Sequence, residues 1–304
     1  MVKKSNTAII CLSPYSGGME LNAIKLAKKL SAITNITLIV QKDKFVMNQQ
    51  ANYNDNPYIE LKSLSFKSNF GFSLIFGLRK IIIEKNIKNI IFFGASELKS
   101  LYFSLLGLGV NLIVRHGTTK SRPKKDWFHR LIYSNVAYHI TNSLHLENNV
   151  KFIIPFGKYT QSKVIYTSFQ KCNVEKVNNP ILTLSHLGRI ASGKGQSDAL
   201  YACKILYDND IDFRLNLIGD FDETYKSEFM KIYDNCVYKN KINLVGFATD
   251  VNSYLSQSSI FLFPSHGEGL SNAFLEAIAN NLIAICYNNT SFPELSSLGL
   301  YFHM

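Results

Sequence analysis

Two doubly wound α/β domains are the fold this sequence predicts, and three observations predict it. Short apolar runs alternate with amphipathic stretches along nearly the whole chain, the pattern of parallel strands covered on both faces by helices. The 304 residues are enough for two domains of ordinary size. Charge is split between the halves. Residues 1–178 carry 25 Lys and Arg against 9 Asp and Glu, a net of +16, whereas residues 179–304 carry 8 against 13, a net of −5.

In the first half, Ala8–Leu12 reads as a buried strand. Gly17-Gly18 open a helix whose Leu21, Ile24, Leu26, Ala27 and Leu30 share one apolar face. Ile36–Val40, Ile90–Phe93, Asn111–Arg115, Ala137–Ile140 and Phe152–Ile154 read as further strands, with helices over Leu74–Glu84 and Glu97–Leu106. Lys42–Phe70 has no clear period and is expected to be loop-rich. The second half repeats the alternation. Its strands are Ile181–Ser185, Arg214–Ile218, Ile242–Val245, Ile260–Phe263 and Ile283–Cys286; its helices are Gln196–Leu206, Glu223–Asn235, Val251–Ser256 and Asn272–Ala279. Tyr159–Pro180 is polar and closes on Asn178-Asn179-Pro180. The expected division is therefore a first domain over 1–160, a linker over 161–180 and a second domain over 181–304. Ligands of such sheets bind at the carboxyl ends of the strands, so a cleft between the domains is the expected site.

Composition excludes several classes. With 46% hydrophobic and 12% aromatic residues the chain is globular rather than disordered. Its five cysteines form no C-x-x-C pair and read as buried thiols rather than a disulfide or zinc framework. The apolar run after Met1-Val2-Lys3-Lys4 is too short for a signal segment or a membrane span. Leu101–Val114 contains Gly107 and Gly109 and reads as a buried helix followed by a strand. A cytoplasmic protein is expected. The basic half suits nucleic acid, an anionic membrane or a phosphorylated substrate, or is simply a solvated lysine-rich surface.

Two constellations carry chemistry. Gly188-Arg189-Ile190-Ala191-Ser192-Gly193-Lys194-Gly195 follows a strand, and its guanidinium and ammonium, five residues apart, can reach one diphosphate. It is neither a G-x-x-x-x-G-K-[ST] nor a G-x-G-x-x-G loop. Pro264-Ser265-His266-Gly267-Glu268-Gly269-Leu270-Ser271-Asn272 follows another strand and leads into a helix that carries Glu276. Gly267 and Gly269 are expected to let the backbone turn tightly. Ser271 or Asn272 can cap the helix, whose free N–H groups suit a phosphate. Glu276 can accept two hydrogen bonds from the vicinal hydroxyls of a ribose, and Glu268 is placed to meet a sugar. Taken singly, each glutamate also reads as an ordinary surface or helix-start acid. His266 is not read as catalytic. No Asp-x-Asp pair stands in a pocket context, so no metal is expected.

The order GR-x4-KG (Gly188 to Gly195), Leu217-Ile218-Gly219, Val245-Gly246-Phe247 and FLFPSHGEGLSNAFLEAIA (Phe261 to Ala279) resembles glycosyltransferase family 4, retaining transferases of GT-B fold. Glu268 and Glu276 match that family's Glu-x7-Glu pair. The resemblance implies that Arg189 and Lys194 bind the donor diphosphate, Glu276 the ribose and Glu268 the donor sugar. It puts Gly269, Leu270, Ser271 and Asn272 near that sugar, and Gly246 and Phe247 near the base. The first half matches more loosely. Ser16-Gly17-Gly18-Met19-Glu20 is similar to the family's acceptor-side glycine loop, and Val114-Arg115-His116-Gly117-Thr118 to its strand-end histidine. His116 alone also reads as a hydrogen-bonded loop histidine.

The sequence departs from the family pattern where Ser258-Ser259 replace the usual acid, and its C-terminal portion is short. Two Rossmann-like domains in a GT-B arrangement are thus expected. They would move a sugar from a nucleotide donor, UDP-linked by preference, to a glycan or lipid-linked hydroxyl in surface polysaccharide or lipopolysaccharide synthesis, without a cofactor. Trp127 and Phe128 beside Lys124-Lys125 suit an acceptor at an anionic membrane, and so a peripheral protein. A sugar-nucleotide epimerase, a nucleic-acid-binding protein and a catalytically inactive scaffold are the alternatives.

Overall fold

In the computed structural model, residues 5–15, 17–49, 55–168 and 179–297 are described. The chain divides into two units. The first comprises Met1–Asn142 with Leu146–Ile165, and the second Ser143–His145 with Tyr166–Met304.

The first unit is built on seven parallel strands: β1 (Asn6–Cys11), β2 (Asn35–Gln41), β3 (Ile59–Leu64), β4 (Asn89–Phe93), β5 (Asn111–Arg115), β6 (Val136–Thr141) and β7 (Gln161–Val164). Their order in the sheet is β3-β2-β1-β4-β5-β6-β7. The helices are α1 (Gly18–Leu30), α2 (Phe45–Asn48), α3 (Phe72–Glu84), α4 (Leu98–Leu105), α5 (Trp127–Tyr133) and α6 (Leu144–Ile153). Period-two alternation explains why the central strands read as continuous apolar runs. Ala8 and Ile10 of β1 enter one core with α3 and α4, while Ile9 and Cys11 enter a second core with α1.

The second unit has five parallel strands: β8 (Leu182–Leu187), β9 (Phe213–Ile218), β10 (Ile242–Gly246), β11 (Ile260–Phe263) and β12 (Ile283–Cys286), in the order β10-β9-β8-β11-β12. Its helices are α7 (Gln196–Asp208), α8 (Glu223–Asp234), α9 (Asn252–Ser256), α10 (Asn272–Ala279) and α11 (Phe292–Ser297). Leu215, Leu217 and Leu262 pack into one core, and Phe261, Phe263 and Phe274 into another.

Three expectations are corrected. Phe152 and Ile153 close α6 rather than form a strand; buried Ile153 and Ile154 are the inward face of a helix end, which a short apolar run cannot distinguish from a strand. The stretch 42–70 holds α2 and β3. β3 lies at the sheet edge, where Glu60 pairs with Lys62 at 3.0 Å and Lys85 at 2.7 Å. Charge there blocks strand addition and also hides the strand from a hydrophobic pattern. The polar stretch 161–180 opens with β7, the opposite edge, which pairs with β6. Most of that stretch, residues 169–178, lies outside the described residues, as does Cys172. Cys11, Cys203, Cys236 and Cys286 are buried free thiols. No described helix is long and apolar enough to cross a membrane.

Candidate functional site

Each sheet reverses its winding once, between β1 and β4 in the first unit and between β8 and β11 in the second. Loops leaving adjacent strands in opposite directions open a crevice at the carboxyl ends. In the second unit, the loops at that point are the two that the sequence singled out, Gly188–Gly195 after β8 and Pro264–Ser271 after β11.

The two loops are stitched together. His266 N–H donates to Gly193 O at 2.9 Å. Gly195 sits at φ 80° beneath the second loop, and a Cβ there would lie 2.1 Å from Pro264 O. Only glycine permits both that φ and that approach. Across this seam Lys194 Nζ donates to Glu268 Oε1 at 2.7 Å, and Ser265 Oγ donates to the same oxygen at 2.9 Å. Glu268 is buried while the Lys194 side chain is a third exposed. The carboxylate is thus held from two sides, with its cation open to solvent.

The left-handed glycines around the site are Gly188, Gly193, Gly195, Gly219 and Gly246. These left-handed positions lie on the first loop and at two neighbouring strand ends. A Cβ at Gly219 would meet Gly188 O at 2.2 Å. Gly219 N–H donates to Gly246 O at 2.8 Å, and Phe247 N–H donates to Asp220 Oδ1 at 3.1 Å. Gly188, Gly219 and Gly246 therefore form a row, with the Phe247 ring half exposed beside it. Arg189 lies in this row, 3.9 Å from Asp222, whose other oxygen caps α8 through Thr224 N–H.

Ser271 caps α10, accepting from Phe274 N–H at 3.3 Å. Asn272 is the first helical residue, and Glu276 lies half-buried on the same helix. The Leu270 side chain goes into the core, which leaves only its backbone for a ligand. Gly269 O accepts from Ser143 Oγ at 2.8 Å; Ser143 groups with this unit.

Sequence reasoning missed two supporting side chains. Asp198, in the first turn of α7, accepts from His266 Nε2 at 2.7 Å and from Tyr287 O–H at 3.2 Å. A first-turn acid after a glycine was the only available hint. His186 on β8 is fully buried and donates through Nε2 to Lys194 O at 2.9 Å. Burial pushes its pKa down to about 4, so it is neutral near pH 7 and holds the Lys194 backbone as a fixed donor.

In the first unit, His116 follows β5, donates its backbone N–H to Ile140 O at 2.8 Å, and its Nε2 lies 2.9 Å from His139 Nδ1. Both rings are buried. Burial first, then the nearby His139, Lys120 and Arg115, push His116 well below the usual histidine range. Burial alone takes His139 down to about 4. The pair is a neutral hydrogen-bonded unit rather than a source of charge. Gly17 and Gly18 stand at the start of α1, at the switch point of the first sheet. Gly17 has extended backbone, φ 174°, open to any residue. Ser16 lies outside the described residues. Among the described residues no group of three or more His, Cys, Asp or Glu is arranged to hold a metal.

Known proteins share both the sequence pattern and the fold. Residues 169–299 match the family model for glycosyl transferases group 1. The chain is 25% identical over 260 residues to the capsular polysaccharide biosynthesis glycosyltransferase CapH of Staphylococcus aureus, covering 81% of this chain and 69% of that one. Anabaena HepE, solved in complex with UDP-glucose, has a TM-score of 0.77 at 17% identity over 95% of this chain and 82% of its own. A glycosyltransferase of Rickettsia africae has a TM-score of 0.78 at 16% identity over 96% and 81%. The fold is GT-B. Residues 169–299 thus resemble glycosyl transferases group 1, and the chain as a whole shares its fold with solved glycosyltransferases.

Proposed function

We propose that this protein is a retaining, family 4-like glycosyltransferase that moves a sugar from a nucleoside diphosphate, UDP by preference, to a hydroxyl of a glycan or lipid-linked acceptor in surface polysaccharide synthesis. The observation that carries the reading is the seam at the switch point of the second sheet. It joins a buried carboxylate, a half-open ammonium and a serine-capped helix N-terminus within two stitched loops. That set suits a ligand with a diphosphate at one end and sugar hydroxyls at the other. CapH, a capsular polysaccharide transferase, and HepE, complexed with UDP-glucose, support the donor and pathway class.

In this reading Glu268, gripped by Lys194 and Ser265, turns its remaining oxygen to the hydroxyls of the transferred sugar. Lys194 has three donors and can hold Glu268 while reaching a phosphate. Arg189 and the first N–H groups of α10 meet the rest of the diphosphate. Glu276 takes the ribose hydroxyls, and Gly246 and Phe247 flank the base. The bond between the anomeric carbon and the phosphate oxygen breaks, and the bond to the acceptor oxygen forms on the same face. The acceptor proton passes to the departing phosphate. Charge growing on that phosphate is met by preorganised cations and N–H groups of this chain, which is the main source of rate. The first unit, with Gly17, Gly18 and neutral His116, serves the acceptor and the sugar.

The test is turnover of UDP-sugars with Lys194→Ala and Glu276→Ala. Both should lose activity, and Glu276→Ala should also raise the donor KM. Wild-type turnover in both variants would overturn the assignment. Conversion of the donor sugar with no acceptor present would indicate an epimerase instead.

A further inference from the structure

The first unit carries an aromatic surface that the transfer reaction does not use. On α3, Phe72 and Phe76 are 77% and 64% exposed and stack with ring centres 6.2 Å apart; Ile83, two turns further along the helix, is 56% exposed. A second group of rings lies off the helix. Phe70 lies 5.8 Å from Phe103 and 6.4 Å from Phe128, and Phe128 lies 5.8 Å from Trp127, which is 75% exposed. Lys99 stands over Phe128 at 6.0 Å, and Lys125 over exposed Phe152 at 5.9 Å. Isolated exposed rings are common, but two such groups on the packed helices α3, α4 and α5 mark an interaction surface.

Its charge indicates the partner. Residues 120–130 contain Lys120, Arg122, Lys124, Lys125 and Arg130 against the single acid Asp126, which is engaged by His129 at 2.5 Å. Lys125, Arg130 and Lys151 line a concavity of about 340 Å³ with Ile154, Pro155 and Phe156. Lys151 is paired with Glu147 at 3.1 Å, whereas Lys125 and Arg130 have no acidic partner within 4 Å among the described residues. Aromatic rings beside a cationic pocket fit a bilayer interface, where rings sit at headgroup depth and cations meet lipid phosphate. A nucleic acid would draw on the cations but leave the α3 phenylalanines and Ile83 unexplained.

We infer that the α3–α5 face docks on an anionic phospholipid bilayer, with Phe72, Phe76 and Trp127 entering the interface and Lys125 and Arg130 meeting lipid phosphate. The inference deepens the reading of a lipid-linked acceptor, because it brings the enzyme to the surface where such an acceptor lies.

Trp127 is the only tryptophan of the chain, so its fluorescence reports on this face alone. The full chain is titrated with phosphatidylcholine vesicles, with vesicles containing phosphatidylglycerol, and with glycerol phosphate. A blue shift and quenching by brominated lipid are expected only with the anionic vesicles. Phe72→Ser with Phe76→Ser should cut partitioning at least tenfold. Lys124→Glu with Lys125→Glu should cut it by about fivefold or more for each charge removed. Circular dichroism and UDP-sugar turnover in detergent check that the variants are folded, and turnover fails separately if the transferase reading is wrong. An unchanged spectrum with anionic vesicles overturns the inference. So does a blue shift that follows protein concentration without lipid, which would mean self-association, or an equal response to glycerol phosphate.

Discussion

Removing the Lys194 ammonium tests the seam most directly. In Lys194→Ala the Glu268 carboxylate keeps Ser265 Oγ at 2.9 Å and loses its cation at 2.7 Å. A hydrogen bond to a charged group contributes about 1.5–3 kcal/mol. Because a third of the lysine side chain is exposed, solvent screens part of this, leaving about 1–2 kcal/mol. At about 2–4 °C per kcal/mol for a chain of this size, the melting temperature should fall by a few degrees. The catalytic loss should be larger, because removing a donor aimed at developing charge lowers turnover by about 100- to 1,000-fold. The assay is kcat and KM for a UDP-sugar donor in wild type, Lys194→Ala, Glu268→Gln and the double variant, with thermal melts of each. The two positions should be coupled in stability by about 1 kcal/mol. Strict additivity together with undiminished kcat in Lys194→Ala would refute the reasoning.

Further outcomes follow from the same geometry. Gly195→Ala should destabilise the second unit well beyond the roughly 1–2 kcal/mol of a left-handed alanine, because its Cβ meets Pro264 O; Gly193→Ala, at φ 77° with open space, should show only the smaller effect. Thermal melts and donor affinity separate the two. His139 and His186 have folded pKa values of about 4 against about 6.5 unfolded, so the unfolded chain binds more protons between those values. Stability should be complete above pH 6.5 and decline as pH falls toward 4, and His139→Gln should flatten part of that slope in pH-dependent melts. If protein cations carry the leaving-group charge, treatment with a chelator should leave UDP-sugar turnover unchanged, and restoration of lost activity by added Mg²⁺ would contradict that assignment.

Much of the fold was legible because buried parallel strands are unbroken apolar runs. Asn111–Arg115, Ile260–Phe263 and Ile283–Cys286 have in the structure the bounds their residues suggest. The first sheet's edge strands β3 and β7 were not legible, because polar and charged residues interrupt them, whereas β12, an edge of the second sheet, is apolar throughout and was legible. Ile153 and Ile154 misled because a helix end and a short strand can present the same residues. At the site, glycines and charged residues marked both loops, but which glycines turn left-handed was not readable. Gly193 and Gly195 are the left-handed pair on the first loop.

By itself the sequence determined the alternation of strands and helices, hence two doubly wound α/β domains, and the short set of polar residues at strand ends, since these depend on local periodicity and on residue chemistry, while the GT-B expectation came from the resemblance those motifs carry. Tertiary structure alone decided that Lys194 and Glu268, 74 residues apart, form one ion pair, and that Asp198 and His266, 68 apart, clamp the same two loops. It also decided that His116 is a buried neutral partner of His139. The physical reason is strand order. β8 and β11 are neighbours only because the sheet reverses its winding between them, and nothing in the local sequence of either strand records that adjacency.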